Sequence, residues 1–212
     1  VPNDLDELME RATAALTATR YLDAEALCLR ALAAARAADD WAYYARIVLP
    51  LQEARRQRRM IAAEGSVQLG TGAIGDLRAW AVEHAPACLV VTHPHTAGEA
   101  AGLVAAARDQ QRYLEVLFAN NPADEPWWTL RAFAGPAVTC EVDAPGRPDD
   151  PDWFLDACEA LGDAALATVT APAGTPARVA ALEAVLDAAG DHEIAHQRLA
   201  DAARAMTPET AT

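Results

Sequence analysis

Three short stretches of this chain carry residue types that could do chemistry. His192-Glu193-Ile194-Ala195-His196 has the HExxH spacing. On a helix, histidines at i and i+4 share one face and can hold Zn²⁺, while the glutamate acts as general base on metal-bound water. Its surroundings point elsewhere. Gly190-Asp191 puts His192 in a first helical turn, Arg198 stands where an apolar residue is wanted, and only Glu209 follows as a third ligand. Local helix physics predicts Asp191 as the N-cap, His192 and Glu193 facing solvent, and His196 packed in line with Leu199 and Ala203. The expectation is no metal site, with His192 and His196 as the ligand pair of the alternative, a zinc metalloprotease.

The second stretch, Gly70-Thr71-Gly72-Ala73-Ile74-Gly75, lies between a short strand and a helix. It resembles the Rossmann-like glycine fingerprint of dinucleotide-binding proteins, whose backbone N–H groups meet a pyrophosphate at a helix N-terminus. The acid that such proteins carry after the next strand is replaced here by Val91-Thr92-His93. The third stretch, Thr92-His93-Pro94-His95-Thr96, follows a strand at the edge where open α/β sheets place ligands. Gly70, Gly72, Gly75, His93, His95 and Thr96 are therefore the candidate cofactor-binding residues. No cofactor is expected, NAD or another nucleotide being the alternative, and no open crevice is expected at the helix following the glycines.

Composition limits what these stretches can serve. The chain has 212 residues, no Lys, 17 Arg against 31 Asp and Glu, and a net charge of -14. Lysine chemistry is excluded, and a general nucleic-acid binder, which must neutralise phosphates, is argued against. Cys28, Cys88, Cys140 and Cys158 are too scattered for a zinc ribbon and read as buried thiols. No apolar run is long enough for a membrane span and no secretory signal is visible, so a cytoplasmic protein is expected. Arg55-Arg56-Gln57-Arg58-Arg59 reads as a solvated helix face paired with the chain's own carboxylates. Trp127-Trp128 reads as a cap on a sheet or an interface.

The elements that must hold these stretches follow from periodicity. Helices are predicted from Asp4, as N-cap, to about Thr19, over 22–38, and over 41–63, the last kinked or split at Pro50. Tyr21-Leu22-Asp23-Ala24-Glu25-Ala26, followed by Ala31-Leu32, resembles the second helix of a tetratricopeptide repeat, a partial resemblance over about residues 5–60, and residues 176–206 resemble another such hairpin in part. That resemblance implies stacked helical hairpins. Strands are predicted at 67–69, 87–92, 113–119 and 137–142, with Cys88–Val91 and Leu114–Phe118 as adjacent buried parallel strands. Helices are predicted over 74–84 and 96–111, and Asn120–Gly135 is read as loop with one short helix. After a proline-rich linker, helices are predicted at 152–167, 176–189 and 191–206.

The expected architecture is α/β. It has a small, mainly parallel sheet of three or four strands, flanked at both ends by tetratricopeptide-like hairpins. The expected segments are helices over 1–65, a Rossmann-like unit over 66–145 and helices over 146–212. The expected function is a non-enzymatic binding or scaffold protein holding a protein or peptide, with no nucleic-acid or membrane partner. A nucleotide-binding, degenerate oxidoreductase-like protein is the alternative, and the zinc metalloprotease stands third.

Overall fold

The computed structural model describes residues 2–121 and 125–207. In chain order, α1 (Pro2–Thr17), α2 (Tyr21–Ala37) and α3 (Trp41–Glu64) lead into β1 (Ser66–Leu69), α4 (Leu77–His84), β2 (Ala87–Val91) and α5 (Ala97–Asp109). Then come β3 (Leu114–Asn120), β4 (Trp127–Arg131), β5 (Thr139–Asp143), α6 (Pro151–Ala167), α7 (Pro176–Ala188) and α8 (Glu193–Arg204). These residues divide into two compact units. One holds the chain up to Gln57 with Val169–Leu186 and the residues from Gly190; the other holds Arg58–Thr168 with Asp187–Ala189. α6 groups with the sheet, and α8 and nearly all of α7 with the N-terminal helices.

In the helical unit, α1 and α2 each end in a Schellman turn built on a non-glycine residue. Thr19 (φ 57°) and Asp39 (φ 52°) take the left-handed conformation. The Arg20 and Asp40 amides then donate back to the Ala15 and Ala35 carbonyls, both at 2.9 Å. Asp40 next caps α3 by accepting from the Tyr43 amide at 2.9 Å. Ala15, Ala24 and Ala54, one from each helix, pack together in the interior. Side chains this small let helix axes approach closely. One expectation is corrected here, and of the two outcomes expected at Pro50, a kink or a split, the split is removed. α1 already includes Pro2, so Asp4 lies in its first turn and is not its cap. Pro50 does not split α3, because Tyr44, Val48 and Leu51 bury the helix on both sides of the missing hydrogen bond.

The other unit is built on one five-stranded sheet in the order β1-β2-β3-β4-β5. β1, β2 and β3 are parallel, with Val67 opposite Cys88 and Val90 opposite Leu117. The expected adjacency of Cys88–Val91 and Leu114–Phe118 is present. Every residue of β2 is buried, as a strand covered on both faces requires. Ala87, Leu89, Val91, Leu114 and Val116 share a core cluster with Leu77 and Ala81 of α4 and Leu103 and Ala107 of α5. Both crossover helices therefore cover the same face.

From Asn120 to Gly135 the loop-and-helix expectation fails. Trp127–Arg131 is a strand, pairing antiparallel with β3 (Ala119 opposite Leu130) and with β5 (Trp128 opposite Val142). Adjacent tryptophans followed by Thr favour a pleated surface, and that preference outweighs the surrounding prolines. The sheet thus has five strands, half of its pairings parallel. Gly65 enters it where nothing larger fits: a Cβ there would lie 2.0 Å from the Pro86 carbonyl oxygen. Among the described residues no helix is long and apolar enough to cross a membrane.

Candidate functional site

The C-terminal ends of β1 and β2 deliver the two loops that the sequence singled out. They are locked to each other by two buried threonines. The Thr71 amide donates to the Thr92 hydroxyl and the Thr92 amide to the Thr71 hydroxyl, both at 2.9 Å. The Thr71 hydroxyl donates in turn to the Thr92 carbonyl at 3.1 Å. Gly70 holds φ 94°, which an L side chain rarely adopts, and its amide donates to the Val90 carbonyl at 3.1 Å. The glycine stretch therefore ties β1 to β2 through amides that a phosphate would need.

α4 begins at Leu77, three residues later than periodicity predicts, because Asp76 caps it. The carboxylate accepts from the Arg78 and Ala79 amides at 2.9 and 3.0 Å. α5 is opened by Thr96 and Glu99 as the expected capping box. Hydrogen bonds from the Thr96 hydroxyl and amide, and a contact with His95, hold the Glu99 carboxyl below the usual carboxylate range. His95 Nε2 donates to the Ile74 carbonyl at 2.8 Å, so the imidazole pins one loop against the other.

An open cleft of about 530 Å³ lies between these two helix starts, lined by Gly75, Asp76, Arg78, His95, Thr96 and Glu99 among others. This corrects the expectation of no crevice. Of the six candidate residues, Gly75, His95 and Thr96 line it, whereas Gly70, Gly72 and His93 do not. Both helix N-termini here already carry a carboxylate of the chain itself. Chemically the cleft offers two carboxylates, one guanidinium and one imidazole held by its own loop.

HExxH is also accounted for by local structure. His192, not Asp191, is the N-cap of α8, its Nδ1 accepting from the Ala195 amide at 3.3 Å. It is 2% exposed, against the expectation that it faces solvent, because capping turns the ring inward; Glu193 is exposed as expected. His196 is fully buried, and its Nδ1 donates to the His192 carbonyl at 2.9 Å. Burial, and then the nearby Arg55 charge, push His196 down to about 4. Glu209 lies outside the described residues. Among the described residues, no three His, Cys, Asp or Glu side chains are grouped to hold a metal ion.

The arginine run is not a solvated face. Arg55 and Arg58 are each 6% exposed. Arg55 pairs with buried Glu25 at 2.9 Å and donates to the Gly190 carbonyl at 2.9 Å. Arg58 pairs with Glu115 of β3 at 2.6 Å, and Arg59 with Glu159 of α6 at 2.8 Å. Only Arg56 is exposed as expected. Beside Glu25, burial and the carboxylate push the Cys28 thiol up to about 11, which keeps it protonated and unreactive. Tyr44 donates to Glu183 of α7 at 2.6 Å, and burial together with that carboxylate raises its phenol.

These buried pairs were readable from spacing. Tyr44, Val48, Leu51, Arg55, Arg58 and Ala62 recur at steps of three and four along α3, as do Leu22, Glu25, Cys28 and Leu32 along α2. A charge on such a stripe is a charge in the core.

A second cavity, about 520 Å³, opens on the α1–α2 hairpin, where Arg11, Arg20, Asp23, Leu27 and Arg30 are among its walls. Trp127 is 39% exposed on β4, and Trp128 meets Trp153 edge-on with ring centres 5.3 Å apart. The chain matches no protein-family model, no curated protein and no solved structure.

Proposed function

We propose that this protein is a non-enzymatic binding or scaffold protein, whose tetratricopeptide-like helical surfaces hold a protein or peptide. The observation that carries this reading is the open groove on the α1–α2 hairpin, which leaves an accessible surface on two closely packed helices. A preformed helical platform binds without the ordering cost that a flexible one must meet. Support also comes from the residue types that suggested catalysis. His95, His192, His196, Thr71 and Thr92 each make hydrogen bonds that hold the fold.

One observation favours a second reading, a nucleotide-binding α/β protein: the cleft between the starts of α4 and α5. Against it, β1, β2 and β3 follow in simple order, without the reversal that opens a binding crevice in doubly wound sheets. Asp76 and Glu99 also stand where a phosphate would bind.

Selection of peptides from a random display library, followed by hydrogen-exchange mapping, separates the two readings. Enriched peptides that protect α1 and α2 are the expected result. No enrichment, with a melting temperature raised by NAD or ATP, would replace the first reading by the second.

A further inference from the structure

We infer that the α1–α2 groove is a docking site for an acidic segment of a partner protein. The inference rests on the hairpin being a peptide-holding surface, and it adds what that peptide must carry. Arginine makes up 17 of the 212 residues, with no Lys to share its role, yet it supplies three of the eight residues that line this groove. Among the described residues, the only carboxylate in the lining is Asp23, 3.9 Å from Arg20, with both side chains largely open to water. Such a pair is weak and exchangeable. Arg11 and Arg30 form no ion pair among the described residues.

The chain carries 31 acidic side chains for 17 basic ones. Arg36, Arg55, Arg58 and Arg59 find carboxylates, whereas Arg112 and Arg178 spend their guanidinium on backbone carbonyls. A guanidinium recognises a carboxylate through two parallel hydrogen bonds, and the small floor of the groove (Ala14, Ala15 and Ala26) lets a peptide backbone come near. A short acidic segment presents its charge to this groove alone. A nucleic acid would run on past it over a surface of net negative charge and be repelled.

The test uses the full chain and fluorescence anisotropy of three labelled probes. They are a short peptide alternating Glu with Ala and Leu, the same peptide with Lys for Glu, and a uridine oligonucleotide. The acidic peptide is expected to bind, and to weaken about tenfold when salt is raised from about 50 to about 300 mM. Arg11→Gln with Arg30→Gln weakens it about tenfold or more, Arg11→Lys with Arg30→Lys, which keeps the charge but not the paired hydrogen bonds, falls between that and the native chain, and Arg198→Gln at an exposed position of α8 leaves it unchanged. Unchanged melting temperatures show that these variants are folded. Equal binding of the Lys peptide, preference for the oligonucleotide, or indifference to the double Gln variant overturns the inference. So does self-association of the chain through this groove. Library peptides that bind the hairpin without acidic residues would sink this inference and leave the proposed function standing; failure of every peptide at the hairpin would sink both.

Discussion

Arginines meet opposite fates in two regions of the molecule. Along the buried stripe of α3, Arg55 and Arg58 are paired with Glu25 and Glu115 and almost wholly removed from water. Around the α1–α2 groove, Arg11 and Arg30 are exposed and form no ion pair among the described residues. Residue type is the same and both regions lie on helices, so chemistry alone does not decide the outcome. Position on the helical period does. A guanidinium on the apolar stripe must bring a carboxylate with it, since a lone buried charge costs several kcal/mol. A guanidinium off the stripe is solvated at no cost and stays available. Composition cannot separate the two groups.

The largest effect should come from breaking the buried pair on the inside. Arg55→Ala takes the Arg55 partner from the buried Glu25 carboxylate and the Gly190 carbonyl together, and is expected to cost on the order of 3–5 kcal/mol in urea unfolding. Arg55→Met with Glu25→Leu removes both charges at similar volume, and should recover most of that loss. A single variant that unfolds no more readily than the native chain would break the contrast drawn between the two groups of arginines.

Next in size is a pH effect from the same buried network. His196 sits near Arg55 and is held at about 4, against an ordinary value of 6.5. Its folded form stays neutral where the unfolded chain takes up a proton. Stability is therefore complete above about pH 6.5 and is lost as pH falls toward 4, by about 3 kcal/mol from this residue. Subtracting the profile of His196→Gln isolates it from the carboxylates that titrate lower down. Parallel profiles for the two proteins over this window would refute the assignment.

How far all this was legible depends on what kind of signal each feature leaves. β2 and β3 were plain because a strand covered on both faces is a near-continuous apolar run, broken within Leu114–Phe118 only by Glu115. α5 was plain because its capping box, Thr96 and Glu99, is local chemistry. β4 was hidden because its support is tertiary: Trp127–Arg131 extends only by pairing with β3 and β5, while its flanking prolines read as loop. The cleft was missed for a related reason. Its walls come from two helix starts twenty residues apart, and Asp76 moved one of them to Leu77. His192 was placed on the wrong side because either Asp191 or His192 can cap α8, and the choice turns the imidazole in or out.

The threonine lock sharpens the comparison at an uncharged site. Thr71 and Thr92 are as buried as Arg55 but carry no charge. Thr71→Val keeps the shape and leaves the Thr92 amide unsatisfied, so a cost of about 1–3 kcal/mol is expected. A loss as large as that of Arg55→Ala would mean that burial of any polar group, and not of charge, sets the scale.

The smallest effect closes the contrast from the outside. Arg11→Gln and Arg30→Gln remove charge from side chains that are exposed and have no ion pair to lose among the described residues. Off the apolar stripe, neither desolvation nor an abandoned partner enters. Glutamine and arginine are also nearly equal as helix formers, so propensity changes little. The pair of substitutions should therefore shift urea unfolding by no more than about 0.5 kcal/mol, the ordinary range for surface changes. The measurement has a sharper edge than its size suggests. If these arginines were held by carboxylates, as the rest of the chain's charge balance would lead one to expect, their loss would reduce stability and the reduction would shrink with added salt. If they are unpaired, stability is unmoved at any salt concentration, and the groove keeps its positive charge for something outside the chain.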